Sequence, residues 1–579
     1  MNGKRKKASS LAALAIAVAV GLSACSGGGG GTAGTAGTAG NGDGGNAETP
    51  PGGANEGGYT APFANGKYEP AIEMTSIGCT PNLEYPEGQS FEDNVALDWA
   101  REKLGIDIKY LWQAPHENGG CEQKLRLSLS GNQKMPDVLH VWANSVESSN
   151  LLANLIDSGQ FLDIGEAFEQ YASDDLKRIM EENPQAWHIV TKDNKKYGVP
   201  LMQLAHNNDN MLYVREDWLQ KLNLKAPATI EELETVMDAF VNGDPDGNGK
   251  KDTLGLAVTL EVFNSWMADA SWIFGAYGGA PNVWREAADG SLVYGSIQPE
   301  TKLGLAKLRE WMEKGYIDKE ALLHNVDKAG SLATSGKAGI FSAPFWGAQW
   351  PLADTAKNVP EAKWTMIGLP TGPDGKIGHY TLGLATHAFL INKDYAHPDA
   401  AFHYLNKLLE FALAKPGTDM EHGFMEGYDY AIVDGKVTKD PAQIPNHFDV
   451  YKATLMPEPP NDPKRNVDSF TRLSRLKEGE EPANSIDAGN WACCKDIVGN
   501  AIDSFQYIDS AYRDAFTGAP TETMRTKGDF LSKMEKETFS NIIYGQEPLD
   551  AFDSFVEKWK SSGGEQIAQE VNAWYQSVK

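Results

Sequence analysis

The densest run of metal-type chemistry in this 579-residue chain is Asp244-Pro245-Asp246-Gly247-Asn248-Gly249-Lys250-Lys251-Asp252. It sets acidic or amide oxygens at the first, third, fifth and ninth places. The Lys250 carbonyl stands at the seventh, and Gly249 allows a sharp turn at the sixth. That is the ligand grammar of a loop that wraps one calcium ion in hard oxygens. The twelfth place, where such loops carry a bidentate Glu, is Gly255, and Thr253 follows Asp252 where a carboxylate could have compensated. Fewer carboxylates predict weaker binding, suited to the calcium-rich exterior of a cell. Residues of these types also favour a plain turn after a helix, which is the competing reading. Because the loop is remote in sequence from the aromatic clusters, its Ca2+ is expected to be structural.

Five cysteines offer three further kinds of chemistry. Cys25 closes the stretch Leu22-Ser23-Ala24-Cys25, which resembles the bacterial lipobox and implies acylation of its thiol. Cys79 and Cys121 each follow a strand-like run, and neighbouring parallel strands would bring them together as a disulfide. Cys493 and Cys494 are adjacent, so bridging them to each other needs a strained ring. They read as free thiols or a zinc pair, but no His or Cys stands at finger-like spacing to complete a zinc site.

The third resource is aromatic: 15 Trp, 20 Tyr and 21 Phe, beyond what core packing demands. Trp142 ends a strand-like run, Trp346 and Trp350 follow another, and Trp266 and Tyr277 precede the Gly278-Gly279 turn. In open α/β sheets ligands bind beyond the carboxyl ends of strands. Rings there can stack on the apolar faces of sugars while Asn144, Gln203, Asn207 and Gln349 hold hydroxyls. Trp272, Trp311, Trp364 and Trp559 read as core, and for Trp142, Trp346 and Trp350 the core reading stands open beside the ligand one. No GxSxG elbow, P-loop, HExxH or GxGxxG stands in a suitable place, so no catalytic residue is assigned. With 79 Asp and Glu, a glycosidase-like pair of carboxylates stays open on sequence alone.

The elements that must position these groups begin with an export signal. Lys4, Arg5, Lys6 and Lys7 precede a short apolar run, Leu11–Leu22, too brief to span a bilayer. Residues 1–24 therefore read as a lipoprotein signal peptide, and 25–66 as a lipidated cysteine with a glycine-rich tether. The body, 67–579, alternates strands and helices. Ala71–Ile77, Ile106–Leu111 and Asp137–Trp142 read as strands, separated by helices near 91–104 and from Glu122 onward. This order predicts a mainly parallel sheet covered by helices. Thr229-Ile230-Glu231-Glu232 is a capping box that opens a helix with Leu233, Val236, Met237 and Phe240 on one face. Phe552, Phe555, Val556 and Trp559, then Ile567, Val571, Trp574 and Tyr575, mark two amphipathic helices split by Gly563-Gly564. A net charge of −27 would repel phosphate backbones and anionic lipid, so nucleic acid is not expected as a partner.

Across 71–579 the chain resembles the extracellular solute-binding proteins of bacterial ABC importers, nearest their lipid-anchored, carbohydrate-binding family 1. The stretches that carry it are KLRLSLSGNQKMPDVLHVW, KKYGVPL, MLYVREDWLQKLNLKAPATIEEL, DPDGNGKKDTLGL, KLREWMEKGYIDKEAL, GKAGIF, HPDAAFHYLNKLLE and FVEKWKSSGGEQIAQEVNAWY. The likeness is weakest over 406–500. It implies an α/β, two-lobed periplasmic-binding-protein-like fold with crossing hinge strands and an interlobe cleft that closes on its ligand. The lobes would be discontinuous: the first roughly 67–200 and 386–450, the second roughly 201–385 and 451–579. The implied role is non-enzymatic: a monomeric protein, lipid-anchored at the outer face of the cell membrane, captures a sugar and delivers it to ABC permease subunits. The alternatives are a lipid-anchored glycan-degrading enzyme and a sensor lipoprotein that feeds a signalling receptor.

Overall fold

In the computed structural model, the described residues are 66–116, 119–261, 263–481 and 511–579, with Trp491 and Lys495. Cys25, the tether up to residue 65, Cys493 and Cys494 lie outside them. Short hairpins aside, the strands in chain order are β1 (Ile72–Thr80), β2 (Ile106–Pro115), β3 (Val138–Trp142), β4 (Val199–Met202), β5 (Met211–Arg215), β6 (Leu254–Ala257), β7 (Ala338–Ala343), β8 (Trp364–Ile367) and β9 (Ala385–Ile391). Buried apolar side chains gather into two main bodies. One draws on residues 74–202 and 388–456, the other on 212–340 and 531–571, with a smaller cluster along 211–366 beside the second. Leu201, Met202, Ala453, Leu455 and Met456 belong to the first body, a few residues beyond the boundaries expected from sequence.

The strand pairing is mixed rather than mainly parallel. β1 and β2 run parallel, but β9 lies between β3 and β4 and is antiparallel to both. The reason is long-range. β9 re-enters the first body after the chain has visited the second, so no crossover helix dictates its direction. The central strand reads Thr-His-Ala-Phe-Leu-Ile and is buried on both faces, whereas Pro200 in β4 sits at the sheet edge, where a missing N–H is harmless. β1 is tied to the head of β3 by side chains: Thr75 donates from N and Oγ1 to Asp137 Oδ2 (2.9 and 2.6 Å), and Ser76 Oγ donates to Val138 O. In the second body the order is β8-β5-β7-β6, with β5 antiparallel to both neighbours and β6 parallel to β7.

Helix ends follow the local chemistry. Thr229 caps the helix Ile230–Asn242 by accepting from Glu232 N, while Glu232 Oε2 accepts from Ala228 N, one residue outside the usual box. Phe552, Phe555, Trp559, Ile567 and Val571 are buried in the second body, as the periodicity predicts. Trp272, Trp311, Trp364 and Trp559 are buried as well. Cys79 and Cys121 are joined as a disulfide with Cα atoms 5.3 Å apart, linking the end of β1 to the helix Gly120–Ser130.

The chain leaves the first body between β4 and β5, returns between β8 and β9, and leaves again after Met456. These crossings are bonded to one another. Ala205 N donates to Pro463 O, Tyr512 N to His379 O (2.7 Å), and Thr381 N to Tyr512 O (3.1 Å). Arg525 adds a bridge from the helix Glu522–Ile543 to Asp157 and Asn154 on the helix Val146–Asp157.

Candidate functional site

A cavity of about 970 Å³ opens where the ends of β3 and β4 and the start of β9 meet residues of the second body. Trp142, Asn144, Gln203, Asn207, Trp266 and Trp346 line it together. Trp142 is the last residue of β3, and Trp346 follows the end of β7, so each indole extends beyond a strand end.

The two walls are built differently. Trp142 rests on His387, ring centroids 3.8 Å apart, with His116 stacked at 5.9 Å and His140 edge-on at 5.7 Å. Beneath it, His140 Nε2 lies 3.1 Å from His387 Nδ1. Burial holds His140 down at about 4, and burial with the adjacent His140 holds His387 well below the ordinary imidazole range, so both stay uncharged near neutral pH. On the other wall Trp346 Nε1 donates to Asn207 O (2.8 Å), which fixes the indole plane. Trp266 stacks on Trp346 at 5.7 Å and 21°.

The polar lining includes residues that sequence reasoning missed. Glu458 Oε2 accepts from Gln203 Nε2 (3.2 Å) and lies 3.5 Å from His387 Nε2; its side chain is half-exposed, and the protein packed around it pushes its carboxyl up, against Gln203 and the charge of His116. His116 faces Glu122 at 3.4 Å; this hydrogen bond raises the imidazole and lowers the carboxyl. Arg126 also lines the cavity and donates to Glu147 O. Glu458 lies in the stretch where the family likeness is weakest, and no local pattern ties it to Trp142. The His residues alternate with apolar neighbours in β3 and β9, which is the one signal that could have flagged them.

Three expected contacts fall outside this cavity. Trp350 is 46% exposed and stacks on the Trp266 ring at 6.2 Å, and Gln349 beside it is exposed. Tyr277 caps the buried helix Ser271–Ala276 and packs against the second body. That helix is seated so closely that a Cβ on Gly275 would lie 2.4 Å from Gly378 Cα.

The Asp244 loop stands apart from the cavity. Asn248 Nδ2 donates to Asp246 Oδ2 (2.6 Å) and Asp252 Oδ1 (3.0 Å), and Gly249 N donates to Asp244 Oδ2 (3.2 Å). Asp244, Gly247 and Gly249 adopt positive φ, which curls the segment around its own carboxylates. Burial and the nearby Asp244 and Asp252 push the Asp246 carboxyl up, against a backbone hydrogen bond from Asn248. Crowded carboxylates of this kind fit a hard cation, which would relieve their repulsion. Gly255 explains the missing twelfth ligand. It lies in β6, where a Cβ would come within 2.8 Å of Met237 Cβ, so a Glu has no room there.

A second polar cluster is buried where the crossings meet. His206 Nδ1 and His379 Nε2 each lie 2.6 Å from Asp209 Oδ2, and Arg513 Nη2 lies 3.1 Å from His206 Nε2. The guanidinium can only donate, so His206 Nε2 accepts and its proton sits on Nδ1, toward Asp209. A metal on Nδ1 would force that proton round to face the guanidinium. The cluster therefore reads as hydrogen-bonded and not as a metal site.

Residues 83–416 match the family model described as bacterial extracellular solute-binding protein. The polygalacturonan/rhamnogalacturonan-binding protein YtcQ of Bacillus subtilis is 26% identical over 472 residues, 79% of this chain and 84% of that protein. Among solved structures, alginate-binding protein AlgQ2 without calcium ion superposes with a TM-score of 0.60 at 17% identity, covering 89% of this chain and 99% of that one. An EF-hand mutant of the S. pneumoniae ABC-transporter substrate-binding protein FusA, in complex with fructo-nystose, gives 0.60 at 16% identity, covering 88% and 99%. These structural likenesses establish the fold. The family match spans more than half of the sequence, and the chain belongs to the bacterial extracellular solute-binding proteins.

Proposed function

We propose that this protein captures a sugar or oligosaccharide outside the cell and delivers it to the permease subunits of an ABC importer. One observation carries the reading: indoles on two walls of one cavity, Trp142 on one side and Trp266 with Trp346 on the other, with side-chain amides among the lining. Indole faces bury the C–H faces of a pyranose or furanose ring, and amides bond its hydroxyls. That YtcQ and FusA are, by name and by bound ligand, glycan-binding proteins supports the same class of ligand here. The two apolar bodies act as lobes that close over the ligand about the crossing segments.

Three further assignments belong to this proposal. Cys25 carries the lipid, and residues 26–66 tether the body to the outer face of the membrane. Ca2+ is held by Asp244, Asp246, Asn248, Asp252 and the Lys250 carbonyl, where it supplies charge compensation and ties a surface loop to β6. The protein works as a monomer. The test is a thermal-shift screen across mono- and oligosaccharides. A ligand specific for the folded state must raise the melting temperature as its concentration exceeds Kd. A screen in which no glycan moves the transition, while calorimetry shows binding of another solute class such as peptides, would overturn the glycan reading.

A further inference from the structure

The charge around the cavity narrows the ligand class further, given that the cavity binds a glycan as proposed above. Three carboxylates line it, Glu122, Glu147 and Glu458, against one guanidinium, Arg126, and no lysine among the described residues. Glu122 is paired with His116, and Arg126 is directed to the Glu147 carbonyl. His387, which faces the cavity beside Trp142, is only 1% exposed and is held uncharged, so it brings no positive charge. That leaves Glu458, bonded by the Gln203 amide; the positive charge that acts on it is that of His116, which Glu122 already shares, and no lysine or guanidinium among the described residues that line the cavity is bonded to it.

A uronate entering between the indoles would bring a second carboxylate toward Glu458, whose side chain is half-exposed. Like charges brought that close repel one another even beside water, and the repulsion falls as salt is added. A neutral glycan meets the reverse situation. Its hydroxyls donate to the Glu458 carboxylate in charge-assisted bonds and accept from the amides of Gln203, Asn207 and Asn461. The volume is at the upper end of the ~300–1,000 Å³ typical of ligand pockets, more than a single sugar ring fills. We infer that the cavity takes neutral oligosaccharides and rejects uronate oligomers, with Glu458 as the residue that sets this discrimination.

The test is titration calorimetry of the lipid-free body with neutral tetrasaccharides of galactose, glucose, xylose and fructose, and with galacturonate and guluronate tetramers. The galactose and galacturonate members share a ring skeleton and differ in charge. At least one neutral tetrasaccharide should bind, and each uronate at least 100-fold more weakly. Glu458→Gln keeps the shape and an acceptor oxygen. It should weaken neutral binding several-fold and narrow the neutral-to-uronate gap at least tenfold, with the melting temperature of the free protein nearly kept. Tighter binding of a uronate, or a gap unmoved by Glu458→Gln, overturns this inference and leaves the glycan reading standing. Binding of none of these glycans overturns both.

Discussion

Trp142 and Trp346 show how one residue type can serve different ends. Each is half-buried at the rim of a strand layer, unlike Trp272 and Trp311, which are at most 1% exposed. Trp142→Ala and Trp346→Ala should therefore weaken glycan binding about tenfold or more, as each ring contributes on the order of 1–2 kcal/mol by burial and stacking. Calorimetry beside thermal melts checks this: affinity should fall while melting temperature is nearly kept. A core role would instead cost ~3–5 kcal/mol of stability and leave the affinity of the folded fraction unchanged. Residues beyond strand ends were legible because an apolar run that stops in Trp marks a sheet edge. Tyr277 lies outside the cavity because the helix that it caps is packed inside the second body. Glu458 could not be read at all, since Gln203 lies 255 positions away in the chain, and His387 offered only its place among apolar neighbours in β9.

At the scale of elements, local rules carried far. The apolar runs, the Thr229 cap and the C-terminal stripes each depend on contacts within a few residues, and each matches the structure. Strand direction did not follow from such rules, because β9 enters its sheet only after a long excursion. The Asp244 loop is an element whose behaviour can be measured. If Ca2+ relieves the crowding at Asp246, a chelator should lower the melting temperature by several degrees and added calcium should restore it. Asp246→Ala should melt like the chelated parent and ignore both additions. A parent whose melt is indifferent to chelator and to calcium would mean that the loop holds no ion.

On the scale of the whole molecule, the cluster of Asp209, His206, His379 and Arg513 fastens all three crossings at one point. Burial alone would push the Asp209 carboxyl up, but hydrogen bonds from His206 and His379 outweigh it and hold it down at about 2. A carboxyl depressed in the folded state stabilises the fold above its unfolded pKa, near 4, and this contribution is lost as pH falls toward 2. Asp209→Asn should therefore cost about 2 kcal/mol at pH 7 in denaturant titrations, with the difference from the parent shrinking between pH 4 and pH 2. A constant difference across that range would mean that shape and not charge makes the contribution. The crossings were foreseen only through family likeness. Nothing local joins His206 to His379, 173 positions later, so their meeting belongs to tertiary structure alone.

The indole stack also has an optical consequence. Trp266 lies nearly parallel to both Trp346 and Trp350, at 5.7 and 6.2 Å. Transition dipoles this close couple, so the near-ultraviolet circular dichroism should contain a paired band that no isolated indole produces. A ligand packed against Trp266 and Trp346 changes the polarity at one end of that coupled set, while Trp350 stays in water. The protein thus carries a built-in chromophore array, and occupancy of its cavity can be followed without a label.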